Sequence, residues 1–207
     1  MQAYDLSHLT QKDNQKVIGP IQDDEALFLY ALIRVLNIRR VLELGFLGGY
    51  SATNFLKAVG STGLVYSCDL GPVVTLSQNH IPLRKDISLI SPKDLDNKPI
   101  DLVFFDCHNL EAQMTCFNNL TEAGIITNKT ILALHDTGTH PKKLRKNDYK
   151  IGRKEFVHQP VERVMVNEFA VIGYSPLCLH TEVTKTSKVL PFRHGLTILS
   201  KFEPLKV

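Results

Sequence analysis

The sequence predicts an α/β fold: a doubly wound, seven-stranded sheet, parallel except for an antiparallel last strand. Three observations predict it. Short apolar runs alternate with segments of helical periodicity along most of the chain, the signature of strands joined by crossover helices. The run Asp101-Leu-Val-Phe-Phe-Asp106 is apolar on both faces, as a central parallel strand should be. Near the end, two strand-like runs lie about ten residues apart, too close for a crossover helix, so they should pair antiparallel.

The elements follow in order. A helix is expected from about Asp24 to Leu36, with Leu29, Leu32, Ile33 and Leu36 on one face and Asp23 or Asp24 as its cap. Val41–Leu44 reads as the first strand and Ser51–Val59 as the next helix, stopped by Gly60. Leu64–Cys68 is the second strand, ending at Asp69, and Ile87–Ile90 is read as the third. After the fourth strand, Leu110–Ala123 is helical, with Met114, Phe117 and Leu120 spaced for packing. Thr130–Leu134 is the fifth strand and runs into His135-Asp136. Pro160–Ile172 is a helix, and Leu177–Val183 and Gly195–Ser200 close the sheet.

Length and composition set the frame. A chain of 207 residues fits one domain spanning 1–207, with 1–20 as a polar N-terminal extension. Hydrophobic residues make up 43% and charged residues 22%, which excludes a disordered chain. A net charge of +3 gives no strong attraction to nucleic acid or membrane, and no apolar run reaches the roughly 18 residues of a membrane span. Four cysteines without a CxxC pair, and no apolar leader, point to reduced thiols and a cytoplasmic protein. His140–Lys154 carries seven Lys or Arg, so 140–156 is expected to be a basic loop over the strand tips. It is read either as a solvated loop or as a lid for an anionic acceptor. Only Tyr149 interleaves the charges, which gives little support to stacking on nucleic-acid bases.

The most informative stretch is Glu43-Leu-Gly45-Phe-Leu-Gly48-Gly49-Tyr50-Ser51. It joins a strand to a helix, where open parallel sheets bind ligands. Glycine lets the backbone approach a ligand there. Asp69, 24 residues after Gly45, can accept from both hydroxyls of a ribose. Its plainer role is a turn cap. Glu43 is a strand-end carboxylate that needs a partner once buried. A cationic ligand such as S-adenosylmethionine would supply one, whereas a dinucleotide pyrophosphate would be repelled. Leu47 also stands where the dinucleotide fingerprint has its second glycine.

These residues resemble the first motif of class I S-adenosylmethionine-dependent methyltransferases, which have a Rossmann-like fold. The likeness is to the catechol O-methyltransferase-like and the macrocin- and cephalosporin-type small-molecule enzymes. It extends over about residues 17–200 and includes the Asp69 position, the Asp101–Asp106 strand and the terminal strand pair. The resemblance implies that Glu43, Gly45, Gly49, Tyr50 and Ser51 hold the methionine end, Asp69 the ribose and Ser91 the adenine edge. Asp106 and His108 would flank the cofactor.

Asp106 and Asp136 end neighbouring strands, so both carboxylates should enter one crevice, with His108 and His135 beside them. Metal-dependent relatives place two ligands at the positions of Asp106 and Asp136. Their third ligand falls at Thr137 or His135, and the catechol-type lysine base at Asn109. Two expectations therefore stand side by side. In one, Mg²⁺ or a similar ion rests on Asp106 and Asp136. In the other, His135, oriented by Asp106 or Asp136, is a metal-free general base. The expected activity is O-methylation of a small hydroxylated acceptor, including a sugar or an anionic one. A nucleic-acid methyltransferase and a non-catalytic S-adenosylmethionine-binding protein are the alternatives. Asp106-Cys-His-Asn109 lacks the Pro-Pro-aromatic pattern of amino-methylating enzymes. The segment Met1–Pro20 is read as a cover for the cofactor or as part of a homodimer contact.

Overall fold

A computed structural model describes residues 21, 23–138, 150–151, 155–156, 161–179 and 195–201. The N-terminal extension and most of the basic loop lie outside the described residues. Helix α1 spans Asp23–Val35, β1 Arg40–Leu44, α2 Tyr50–Val59, β2 Leu64–Asp69, β3 His80–Arg84 and β4 Leu102–Phe105. Then come α3 (Leu110–Glu122), β5 (Ile131–Leu134), α4 (Val161–Val171), β6 (Ser175–Leu179) and β7 (Leu196–Ser200). A separate short ladder pairs Lys150–Ile151 with Glu155–Phe156.

The seven-stranded sheet runs β3-β2-β1-β4-β5-β7-β6. β1 to β5 are parallel, and β7 is antiparallel to both β5 and β6. This is the predicted architecture. Strand alternation divides the core into two layers. Leu42, Leu44, Val103 and Phe105 face α3 and α4, while Val41, Leu102 and Phe104 face α1 and α2. Each one-residue step reverses the face, so the apolar-throughout strands fill both layers. Among the described residues no helix is long and apolar enough to cross a membrane.

One strand differs from expectation. The third strand is His80–Arg84, and Ile87–Leu89 is a 3-10 turn. The turn is capped by Asp86, whose side chain accepts from the Ser88 N–H at 2.9 Å. β3 contains Pro82, which a central strand would not tolerate. It is the edge strand of the sheet, where a missing N–H costs no ladder bond on the open side.

Candidate active site

The crevice lies outside the carboxyl ends of β1 and β4, where the sheet order changes direction. Two glycines shape it. Gly45 has φ 108°, and a Cβ there would lie 2.3 Å from the Asp106 carbonyl oxygen. Gly49 has φ 77°, and a Cβ would meet the Phe46 ring at 2.8 Å. The first glycine therefore lets the β1 turn touch the tip of β4. The second lets the α2 start close over Phe46, which is buried and stacks on His80 with centroids 5.7 Å apart.

Asp69 organises this turn. Its Oδ2 accepts from the N–H groups of Phe46 (2.9 Å) and Leu47 (3.2 Å), and its Oδ1 from Gly71 (2.8 Å). Burial opposes its charge, but these backbone donors outweigh burial and hold the carboxyl below its usual range. The turn-cap role is thus present. Glu43 is fully buried, accepts from the Ser51 hydroxyl and leaves Oε2 without a hydrogen-bond partner among the described residues. Burial pushes its pKa up to about 8, against the lowering effect of the Ser51 and Ser67 hydroxyls. The Tyr50 hydroxyl donates to Asp23 and ties the start of α2 to the start of α1.

Ser91 caps the Pro92–Leu95 turn, and its hydroxyl donates to Asp94 at 2.8 Å.

Asp106, His108, His135 and Asp136 do come together. His135 is 1% exposed. Its Nδ1 lies 3.1 Å from Asp106 Oδ1 and its Nε2 3.2 Å from Glu25 Oε2. Burial disfavours its charge, but Asp106, Asp136 and the hydrogen bonds to Asp106 and Glu25 overcome that and raise its pKa well above the ordinary value. Both ring nitrogens are engaged by carboxylates, an arrangement that favours the imidazolium form. Burial raises the Asp106 carboxyl, partly offset by His135.

His108 is the member that faces outward, with its side chain 52% exposed. Its Nε2 lies 3.5 Å from Asp136 Oδ2 and 3.9 Å from Asp106 Oδ1. Its Nδ1 lies 3.1 Å from Glu162, whose carboxylate raises the imidazole pKa to about 9. His108 (φ 56°) and Asp136 (φ 54°) both adopt the left-handed conformation, which costs roughly 1–3 kcal/mol each. Glu25 and Glu162 were absent from the sequence reading. Each sits in the first turn of an amphipathic helix, where an acid reads as a surface residue favoured by the helix dipole.

The donor set at these tips suits a divalent ion. Asp106, His108 and Asp136 each offer one ligand atom, all within 4.8 Å of one another. Two carboxylates and an imidazole held at its far nitrogen by a carboxylate fit such an ion.

Residues 3–94 match the O-methyltransferase family. No curated protein sequence matches the chain. Solved structures with the same fold include a Staphylococcus aureus protein provisionally described as a caffeoyl-CoA O-methyltransferase. It is 15% identical, with 90% of this chain and 86% of that one covered and a TM-score of 0.60. Another is the Streptomyces achromogenes O-methyltransferase TomG, in complex with S-adenosylmethionine, at 15% identity, 98% and 92% coverage and a TM-score of 0.58. A third is a Bacillus cereus O-methyltransferase in complex with S-adenosylhomocysteine, at 16% identity, 94% and 86% coverage and a TM-score of 0.52. Residues 3–94 thus resemble the O-methyltransferase family, and the seven-stranded sheet shares its fold with these solved O-methyltransferases.

Proposed function

We propose that this chain is a cytoplasmic enzyme that transfers the methyl group of S-adenosylmethionine to an oxygen of a small hydroxylated acceptor. One observation carries the cofactor reading: the buried Glu43 carboxylate with an unpaired oxygen beside the glycine turn. A buried carboxylate is costly without a partner, and the ammonium and sulfonium of the cofactor are suitable cations. The start of α2 has no side-chain cap hydrogen bond among the described residues, and the positive end of its dipole suits the methionine carboxylate. Asp69 already accepts from three backbone N–H groups, which leaves at most about one of its roughly four lone-pair sites for a ribose hydroxyl.

The acceptor hydroxyl is placed at the tips of β4 and β5, beside Asp106, Asp136 and His108. Methyl transfer needs an oxygen lone pair in line with the carbon–sulfur bond, and positioning supplies most of the rate. The hydroxyl proton passes to the Asp106 carboxylate, which burial makes more basic than an ordinary one. As the oxygen–carbon bond forms, the carbon–sulfur bond breaks and S-adenosylhomocysteine leaves. His135 is a positioning residue here: its imidazolium anchors Asp106 from inside the core. A divalent ion on Asp106 and Asp136, when bound, would supply positive charge that lowers the pKa of the acceptor hydroxyl.

Calorimetric titration with S-adenosylhomocysteine tests the reading. Saturable binding by the wild-type chain, reduced at least about tenfold by Glu43→Gln, is expected. A folded wild-type chain that binds neither S-adenosylhomocysteine nor S-adenosylmethionine overturns it.

A further inference from the structure

The family resemblance puts an oxygen ligand at or beside Thr137, yet this residue is turned away. Thr137 is fully buried, and its hydroxyl accepts from Thr197 at 2.8 Å. In its stead the fold brings an imidazole to the two carboxylates. The β4–α3 turn carries His108 in the left-handed conformation, with Nε2 toward Asp136 and Asp106.

That direction is enforced from behind. Glu162, 0% exposed on α4, accepts the His108 backbone N–H at Oε1 (2.9 Å) and faces Nδ1 with Oε2 (3.1 Å). Gln113 of α3 donates to the same Oε1 at 3.1 Å, so the carboxylate is itself held from two sides. With Nδ1 engaged by Glu162, Nε2 is the ring nitrogen turned toward the carboxylates, where an ion would displace its proton. Carboxylate–histidine pairs of this kind orient metal-ligating imidazoles and raise their basicity.

We propose that Asp106, Asp136 and His108 bind one divalent transition ion, Mn²⁺, Co²⁺ or Zn²⁺, in preference to Mg²⁺, with Glu162 as the positioning residue for His108. The proposal rests on the reading of these tips as the acceptor side of a methyltransferase cleft. Its physical basis is ligand softness. Mg²⁺ takes oxygen donors and keeps its waters, whereas imidazole suits the later first-row ions. The Asp, Asp, His set with one engaged imidazole nitrogen is a borderline site and not an all-oxygen one.

Titrations of the full chain with Mn²⁺ and with Mg²⁺, followed by calorimetry and by the loss of free Mn²⁺ signal in electron paramagnetic resonance, test this. One Mn²⁺ per chain is expected, bound at least about tenfold more tightly than Mg²⁺. His108→Asn keeps the tolerance for positive φ but falls short of the carboxylates, and should lose Mn²⁺ affinity about 100-fold. His108→Gln extends an amide oxygen to about the Nε2 position. It should recover part of the affinity and erase the preference over Mg²⁺. Glu162→Gln should weaken Mn²⁺ binding about 10–100-fold. The Co²⁺-loaded wild-type chain should show a hyperfine-shifted exchangeable imidazole N–H signal, a readout independent of how any variant folds. Equal affinity for Mg²⁺ and Mn²⁺, Mn²⁺ binding indifferent to His108, or no such signal overturns the proposal. S-adenosylhomocysteine is titrated into the same samples. Retained nucleoside binding without Mn²⁺ binding removes the metal inference alone, while absent nucleoside binding removes the functional reading beneath it.

Discussion

Glu25 and His135 lie 110 residues apart in sequence and meet at 3.2 Å in the core. With Asp106 on the other ring nitrogen, the imidazolium joins α1 to the tips of β4 and β5. Removing one member of a buried ion pair leaves the rest uncompensated and costs about 3–5 kcal/mol. His135→Leu should therefore lower the free energy of unfolding by that order in a urea titration. Loss of activity should follow loss of folded protein. A fully stable His135→Leu chain with abolished turnover would restore this residue to the role of a base.

Asp69 satisfies three backbone donors of two adjacent turns. Asp69→Ala strands them, at roughly 1–3 kcal/mol for a group left unsatisfied. The glycine turn should loosen, and S-adenosylhomocysteine affinity should fall by at least about tenfold. Calorimetry on the folded variant checks the affinity, and denaturant midpoints check the stability. Unchanged affinity would detach Asp69 from the cofactor.

Glu43 gives the chain a pH dependence of definite sign. Its folded pKa of about 8 lies above the ordinary 4.5. A carboxyl raised on folding favours the folded state fully below about pH 4.5, and that contribution is lost as pH rises through about 8. The unliganded chain should thus lose stability across this window, and Glu43→Gln should flatten the loss. A cation placed at Oε2 needs the ionised form. S-adenosylhomocysteine affinity should rise from pH 6 to 8 in the wild type and stay level in Glu43→Gln, once the titration of the ligand is subtracted by that comparison.

Gly45 and Gly48 sit three residues apart in one turn and should respond oppositely to alanine. At Gly45 a methyl meets the Asp106 carbonyl at 2.3 Å with φ 108°, so Gly45→Ala should cost more than about 1 kcal/mol and displace the tip of β4. At Gly48 nothing lies within 4 Å of the added carbon. Gly48→Ala should change stability by less than about 0.5 kcal/mol. Thermal melts of the two variants decide it.

Most of this architecture can be read from local pattern. Apolar runs and helical stripes encode which segments are strands and helices. The crossover rule then places Gly45, Asp69, Asp106 and Asp136 at one end of the sheet, because parallel strands all finish on the same side. β3 escaped because Pro82 interrupts its apolar run and His80 and Arg84 end it. Ile87, Leu89 and Ile90 imitate a strand, but they form a 3-10 turn that buries Ile87 and Ile90 and exposes Leu89. What no local pattern carries is the pairing of polar groups across elements. Glu25 belongs to His135, and Glu162 to His108 from 54 residues away. Whether an imidazole faces the crevice or the core depends on which helix delivers a carboxylate behind it. That is settled by packing, since burial makes an unpaired charge too costly to keep, while the order of residues along the chain is silent about which partner arrives.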